Sequence, residues 1–169
     1  LTGEIDFSDF YINKSNVSIS YFSDIFNSKE FLLNFDTYID LPIDFIYSKL
    51  NNLSVITSLE FLKGEFNTNY ANQNGLNYSI FTLKINPEYK TVISGFSLKL
   101  GAKIVSSFDT ENSVNNFLVY PDVLIKKTIF KEYLNIYGGI FGGLKTNTYK
   151  DFTEDNPYIS PTLFMTQTS

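Results

Sequence analysis

The sequence predicts an all-β fold: an antiparallel up-and-down transmembrane β-barrel, or a roughly eight- to nine-stranded part of a larger barrel. Several segments alternate in polarity over about 11–16 residues, whereas strands of soluble domains usually have ~5–6 residues and a strand that crosses an outer membrane needs ~9–11. The connections alternate between polar stretches and tight turns, and no amphipathic helix interrupts them. Residues 1–169 are therefore predicted to form a single β-barrel region, which we expect to be a fragment of a longer chain.

The predicted strands follow one another with the period of two that a strand with two different faces requires. The odd positions are mostly apolar and the even positions mixed from Phe31 to Leu41, from Leu53 to Leu62 and from Phe117 to Lys126. From Val92 to Ile104 the even positions are the apolar ones. We predict strands near residues 1–8, 16–26, 30–41, 52–63, 76–86, 91–106, 116–129 and 132–146, with a ninth that opens at Ser160.

The last long strand contains an unusual number of glycines, in the sequence YLNIYGGIFGGLK from Tyr133 to Lys145. Its even positions are apolar or glycine, and its odd positions are mixed. Glycine pairs inside a strand are typical of a bend or of a close approach by other side chains, and a β-bulge is the alternative interpretation. If the strand lies in a membrane, we expect its even positions to face lipid and its odd positions to face the lumen.

The connections predict a meander with long loops on one side of the sheet. Polar stretches lie near residues 23–29, 64–75, 107–115 and 147–159. Tight turns are predicted at PEYK (87–90) and at FKE (130–132), whereas the segments near 9–15 and 42–51 are longer and fit the scheme less well.

Strand length and aromatic placement favour a membrane barrel over a soluble β-sandwich. Outer-membrane barrels have an apolar outer band and aromatic girdles at both interfaces, with a polar interior. A sandwich shares the period of two but has turn signals every ~8–12 residues, closer together than the tight turns here. Six tyrosines fall near predicted strand ends, where a girdle would lie: Tyr21, Tyr47, Tyr78, Tyr120, Tyr133 and Tyr149.

Composition excludes several classes of function. The chain has no cysteine and no histidine, so disulfides, thiolate chemistry, a Ser-His-Asp triad and an ordinary zinc site are excluded. The net charge of −5 and scattered lysines argue against nucleic acid as a partner. No apolar run approaches the ~20 residues of a membrane helix. Because the chain begins at Leu1, without methionine or a signal-like start, we expect earlier processing or a longer protein.

Charged motifs do not form a catalytic constellation. Asp151, Glu154 and Asp155 lie close together, but their spacing is not that of a calcium loop. Carboxylates four apart on a strand are ~13 Å apart, too far for a two-carboxylate mechanism, so Asp36, Asp40 and Asp44 indicate a water-facing side or rim. Lys99 and Lys103 share that spacing on a polar face, and Lys126-Lys127 lies near a strand end. We assign no catalytic, cofactor-binding or metal-binding residue.

Two stretches carry a resemblance to a known family: NVSISYFSDIFNSKEFLLNFDTYID (16–40) and FLVYPDVLIKKTIFKEYLNIYGGIFGGLKTNTYKDFTEDNPYISPTL (117–163). With the hairpin between them, they resemble the barrel region of TonB-dependent-receptor-like outer-membrane proteins of the Bacteroidota. The most specific piece combines a tyrosine-proline pair, a tight turn, a YxGxxGGLK-like strand and a loop that ends in DNP. The resemblance implies an outer-membrane barrel. It does not imply active transport, because the family's plug domain and energy-coupling box are not visible.

The expected function is that of a non-enzymatic, porin- or receptor-like barrel in the bacterial outer membrane, which serves transport, anchoring or surface assembly. Its expected partners are the lipid bilayer and other chains of a membrane complex. Two alternatives remain: a structural subunit of a larger outer-membrane complex, and a soluble surface β-sandwich that binds glycan or protein. The second is suggested by the polar loops rich in tyrosine and asparagine.

Overall fold

The computed structural model describes residues 1–6, 11–41, 52–66, 76–129, 134–159 and 167–169. They form one eight-stranded antiparallel sheet and a short helix. The elements are β1 (Thr2–Asp6), β2 (Ile12–Ser23), β3 (Lys29–Leu41), β4 (Asn52–Phe66), β5 (Leu76–Ile93), β6 (Phe96–Asp109), β7 (Val114–Ile129), β8 (Leu134–Phe141) and α1 (Tyr149–Asp155). No helix among these residues is long and apolar enough to cross a membrane.

The sheet is an uninterrupted meander, so the predicted antiparallel up-and-down order is confirmed. Each strand pairs with its neighbours in sequence, in the order β1 to β8. Within the described ranges the sheet is open, because β1 pairs only with β2 and β8 only with β7. β4 has 15 residues and β5 has 18, well above the ~5–6 that are usual in soluble domains.

Two predicted connections were wrong in position or length. PEYK (87–90) lies inside β5, and the hairpin turns instead at Ser94 and Gly95, whose φ angles of 50° and 77° fit a two-residue turn with left-handed central residues. The stretch 107–115 is mostly strand, with a short turn in which Asp109 accepts bonds from the Glu111 and Asn112 N–H groups at 3.1 and 3.0 Å. Pro87 lies within β5 and keeps its place in the β4–β5 register, opposite Val55.

Other predicted features lie outside the described residues. They are the FKE turn (130–132), the ninth strand at Ser160, and most of the connections 42–51 and 64–75.

The start of the second strand differs from the prediction, since β2 begins at Ile12 and includes part of the segment 9–15 that was assigned to a connection.

We expect Gly95→Val to destabilise the protein by about 1–2 kcal/mol, because a left-handed backbone places an L side chain too close to the following carbonyl. Gly138→Val is the matched control, since a Cβ at Gly138 has no atom within 4 Å. Equilibrium unfolding of both variants measures the difference. Equal stability of the two would contradict the turn assignment.

The paired strands give the sheet two chemically different faces, because residues opposite each other across antiparallel strands point to the same side. The apolar face includes Tyr21, Phe31 to Leu41 (odd), Leu53 to Phe61 (odd), Phe81 to Ile93 (odd), Phe96 to Phe108 (even), Phe117 to Ile125 (odd) and Leu134 to Ile140 (even). The polar face carries the alternate positions, among them Glu30, Glu60, Thr82, Glu88, Lys99, Lys103, Ser107 and Asp122. The predicted alternation is confirmed within each strand, but the turn at Ser94 and Gly95 divides the run predicted from Val92 to Ile104, so Val92 lies on the polar face.

The glycine-rich strand ends earlier than predicted. β8 alternates from Leu134 to Phe141, but residues 142–148 leave the sheet after a last bond from the Gly142 N–H to the Pro121 carbonyl at 3.1 Å. A Cβ at Gly139 would lie 2.5 Å from the Val123 carbonyl, so no side chain fits there. The four glycines between positions 138 and 143 therefore do not act alike. Gly139, inside β8, permits close approach of β7, and Gly142, just after β8, begins the departure from the sheet.

The stretch 147–159 contains a helix rather than only a loop, which corrects the expectation of no helix. Thr148 caps α1 through its hydroxyl, which accepts a bond from the Asp151 N–H at 3.1 Å. With seven residues, α1 is too short to show an amphipathic period in the sequence. The helix packs on the polar face against the main apolar cluster, which consists of Leu62, Phe66, Tyr78 and Tyr149 with Phe22, Leu32, Leu76, Phe152 and Ile159 around it.

Candidate functional site on the polar face

A charged network joins β5, β6 and β7 on the polar face. The Lys99 ammonium lies 2.7 Å from Asp122 and 3.4 Å from Glu88, and Lys90 lies 3.0 Å from Glu88. The Asn86 amide donates to both carboxylates, at 3.1 Å to Glu88 and 3.2 Å to Asp122. Asp122 is 2% exposed, so its pairing with Lys99 supplies the counter-charge that a buried carboxylate needs.

Glycine creates the space for this network. In the registers of β5, β6 and β7, Gly101 lies between Glu88 and Asp122. A Cβ at Gly101 would meet the Pro87 carbonyl at 2.9 Å and the Asp122 carbonyl at 3.2 Å. The missing side chain lets groups from three strands meet above β6.

Residues 142–159, which we call the covering segment, lie across the polar face. Near its start, the Lys103 ammonium donates to the Gly142 carbonyl at 3.1 Å. Further along, the Thr146 hydroxyl donates to the Glu60 carboxylate. Lys145 forms a two-residue antiparallel bridge with Thr168. These contacts attach the covering segment to strands far from it in sequence.

Gln167 binds the sheet directly beside the covering segment. Its amide nitrogen donates to the Thr82 hydroxyl at 2.8 Å and to the Thr146 hydroxyl at 3.2 Å, and its oxygen accepts from the Ser107 hydroxyl at 2.6 Å. Thr82 is fully buried and Ser107 nearly so. The polar face is thus a packed, hydrogen-bonded surface at this point.

Glu30 is the strongest attachment point of the covering segment. It is 3% exposed and accepts bonds from the Tyr149 N–H at 2.6 Å, the Lys150 N–H at 3.2 Å and the Tyr78 hydroxyl at 2.6 Å. The first two donors are N–H groups of the first turn of α1, where a carboxylate also meets the positive end of the helix dipole. Glu30 therefore joins the helix to β3 and β5.

The Tyr78 ring reaches Glu30 by passing over Gly64 on the intervening strand β4. A Cβ at Gly64 would lie 2.0 Å from the Tyr78 ring, so only glycine permits this position. Tyr149 packs edge-on against Phe66 at 4.9 Å and against Phe22 at 5.8 Å, and its hydroxyl donates to Asp24 at 3.0 Å. Aromatic packing and hydrogen bonds together hold α1 on the sheet.

Leu144 lines two cavities of the polar face among the described residues. The larger one, of about 340 Å³, is lined by hydroxyl and amide groups of Ser107, Asn116 and Gln167 together with aliphatic side chains. The smaller one, of about 240 Å³, is lined by Lys84, Lys103 and Gly143 among others. Both lie between the strands and the covering segment.

The opposite, apolar face is open. Phe117, Val119 and Ile140 are 69%, 59% and 65% exposed, while polar groups on the other side are buried. Among the described strand residues, the charged side chains of the apolar face lie only near strand ends: Lys29, Lys63, Glu65 and Lys127. A wide apolar surface with charges at its margins is the reverse of the usual soluble arrangement.

Phenylalanines form a row at one end of the apolar face. Phe61 pairs with Phe81, and Phe81 with Phe108, across adjacent strands. The Phe31 and Phe61 rings lie 6.5 Å apart, and the Phe81 and Phe108 rings 6.4 Å apart. At the opposite end, the Lys127 ammonium lies 4.1 Å above the Phe96 ring.

The tyrosine positions proposed for a girdle were wrong for most of the described residues. Tyr21 lies on the apolar face beside Phe31 and is exposed. Tyr78 and Tyr120 point to the polar face, and Tyr149 is buried in α1. Tyr47 and Tyr133 lie outside the described residues. Proximity to a strand end did not reveal which face each ring occupies.

The charged residues noted in the sequence are dispersed. Asp36 and Asp40 lie on the polar face, where the Asn13 amide donates to Asp40, and Asp44 is outside the described residues. In the acidic stretch of α1, Glu154 lies 3.7 Å from Lys150. Within the described ranges, no three acidic side chains are close enough to hold a metal ion.

Lys99 and Lys103 both lie on the polar face, as predicted, but have different partners: two carboxylates for Lys99 and a backbone carbonyl for Lys103. Glu30, Gly64 and Gln167 were not identified from the sequence. Their roles depend on contacts between distant strands, and no local pattern marks them.

In comparisons with known proteins, no protein-family model, no curated protein and no solved structure matched this chain. Functional inference therefore depends on the two faces of the sheet and on the covering segment.

Proposed function

We propose that this chain forms part of the wall of a non-enzymatic outer-membrane β-barrel, with its apolar face against lipid and its polar face toward the interior. The supporting observation is the distribution of charge on the two faces. Lys29, Lys63 and Glu65 border the apolar face at one end, and Lys127 borders it at the other. Between these margins, the described strand residues of that face are uncharged. Hydrocarbon tolerates such a surface, whereas water disfavours it.

The dimensions of the apolar band support the same proposal. From Phe117 to Ile125 the apolar positions of β7 span about 27 Å at ~3.4 Å per residue. A tilt of ~35–45° shortens this span to about 19–22 Å, close to the ~25 Å band of outer-membrane barrels. The phenylalanine row at one margin and the Phe96–Lys127 pair at the other occupy the places of interfacial girdles.

A membrane location also requires partners for the outer edges of β1 and β8, since lipid supplies no hydrogen bonds to the backbone. We propose that further strands pair there and complete the wall. The likeness of residues 117–163 to TonB-dependent-receptor-like barrels agrees with such a larger barrel. A porin- or receptor-like role in transport, anchoring or surface assembly follows from a wall of this kind.

The two alternative functions require different partners for the two faces of the sheet. A soluble β-sandwich that binds glycan or protein needs a second layer over the apolar face, and the described residues place their covering segment on the polar face instead. A structural subunit of a larger outer-membrane complex shares the lipid-facing surface but has no passage of its own. Conductance of the reconstituted protein distinguishes a subunit without a passage from a porin.

Single-cysteine labelling along β7 tests the membrane proposal, and the natural chain has no cysteine to interfere. Fluorescent labels at positions 117 to 125, in protein reconstituted into vesicles, are exposed to a lipid-borne and a water-soluble quencher. We expect lipid quenching at odd positions and aqueous quenching at even positions. Aqueous quenching on both faces, or protein that stays monodisperse without detergent, would refute the membrane location.

A further inference from the structure

Two lysines line the smaller cavity of the polar face, and neither forms a short salt bridge within the described part of the chain. The cavity has a volume of about 240 Å³ and lies where β4, β5 and β6 meet the covering segment. Its polar lining includes Ser58, Lys84, Asn86 and Lys103, and Gly143 and Leu144 form its covering side. Two lysines, an asparagine and a serine therefore line one small space.

Lys103 interacts with the Asp122 carboxylate only at a distance, and Asp122 pairs directly with Lys99 at 2.7 Å. The Lys103 ammonium donates to the Gly142 carbonyl at 3.1 Å, and within the described part of the chain it forms no salt bridge. The side chain is half-buried. A cation that is partly removed from water is stabilised by an anion more than by a neutral carbonyl.

Lys84 is the second lysine that lines the cavity. Its ammonium lies 3.6 Å from the Glu60 carboxylate, a long contact, and that carboxylate also accepts the Thr146 hydroxyl. Glu60 is thus shared between the Lys84 ammonium and the Thr146 hydroxyl. Lys99 provides the contrast on the same face, because Asp122 and Glu88 neutralise it.

We propose that this cavity binds the anionic group of a small solute, a carboxylate or a phosphate, between Lys103 and Lys84. An oxyanion there accepts charge-assisted hydrogen bonds from both ammonium groups, and the Ser58 hydroxyl is a further donor. The volume suits an anionic head group rather than a whole drug-sized ligand, whose pockets are ~300–1,000 Å³. This inference rests on the proposed function, since solutes must reach the polar face through the barrel interior.

Gly143 leaves the space above Lys103 open, and a larger residue at this position would fill that space. A Cβ at Gly143 would meet only the Lys103 ammonium, at 3.9 Å, and the residue has an ordinary backbone conformation. Gly143→Leu therefore fills the space above Lys103 without a clash with the backbone. Gly138→Leu is the matched control, because Gly138 lies on the apolar face with no atom within 4 Å of its Cβ position.

Calorimetric titration of the purified protein in detergent micelles tests the site, with inorganic phosphate and succinate as separate probes. Binding of phosphate alone, of succinate alone or of both identifies the anionic group. We expect Lys103→Met to weaken binding about tenfold or more, the effect of one charge-assisted hydrogen bond. Gly143→Leu is expected to abolish binding. Lys126→Met, on the polar face near the end of β7, and Gly138→Leu are expected to bind as the natural chain does.

Lack of binding of either probe at millimolar concentration would overturn the inference, as would equal affinity in Lys103→Met and the natural chain. If Gly143→Leu fails to fold, Lys103→Met alone decides. The quenching pattern of β7 labels is measured independently, so loss of anion binding with intact lipid quenching refutes the site and not the barrel.

Discussion

Arginine at Val119 should reduce the free energy of unfolding by about 2–4 kcal/mol when the protein is folded in a lipid bilayer, the cost of a charge at depth on a lipid-facing strand. Val119 is 59% exposed and pairs with Ile104 on the apolar face. In water, a substitution at so exposed a position usually changes stability by no more than about 0.5 kcal/mol. The loss of unfolding free energy therefore shows whether the apolar face contacts lipid or water. Urea unfolding in phospholipid vesicles measures this loss.

Asn116→Arg is the control for this experiment. Asn116 is exposed on the same strand but lies on the polar face, so arginine there should stay in water and leave stability nearly unchanged. A similar small effect at both positions would mean that the apolar face does not contact hydrocarbon.

The second large effect is expected at Glu30. Glu30→Ala removes the acceptor of the Tyr149 and Lys150 N–H groups and of the Tyr78 hydroxyl. Bonds to a charged group contribute roughly 1.5–3 kcal/mol each, and part of the loss is recovered by water. We expect a destabilisation of about 3–5 kcal/mol, with α1 released from the sheet before the strands unfold. Hydrogen exchange of the α1 amides and equilibrium unfolding measure the two effects.

Glu65→Ala provides the comparison. Glu65 lies on the apolar face near the end of β4 and pairs with Lys63 at 3.1 Å, with 43% of its side chain exposed. Exposed ion pairs contribute about 0–1 kcal/mol, so this variant should keep normal exchange in α1. Unchanged α1 exchange in Glu30→Ala would show that the helix does not depend on Glu30.

Strand identity and facing could be predicted from the sequence because both depend on local alternation. Residues two apart on a strand share a face, so Phe31 to Leu41 and Phe117 to Ile125 were assigned correctly to one apolar face. The order of strands followed from the alternation of long polar loops with tight turns, which is typical of an up-and-down meander. None of this needed a contact between distant residues.

Turn position was harder because local signals compete. Pro87 and the polar residues after it favoured a turn at 87–90, yet Ser94 and Gly95 form it. The pairing of β5 with β4 continues past Pro87 to the pair of Lys90 with Asn52. Many ladder bonds over a long register outweigh the missing N–H of one proline.

The candidate site could not be predicted for a different reason. Lys103 was placed on the polar face by alternation, but its bond to the Gly142 carbonyl depends on where the chain runs after β8. Glu30 has local neighbours typical of any strand, and its donors come from Tyr78 and α1. Such contacts depend on where the chain turns back, which the period of a strand does not encode.

By itself, the sequence determined an all-β meander with one apolar and one polar face, because side-chain alternation is a property of each strand alone. Only the tertiary structure decided that residues 142–159 leave the sheet and cover the polar face. The physical reason is long-range complementarity: Gly64 and Gly101 leave space above their strands, and Glu30 accepts bonds from the Tyr149 and Lys150 N–H groups at the start of α1. These features act only when strands far apart in sequence are side by side.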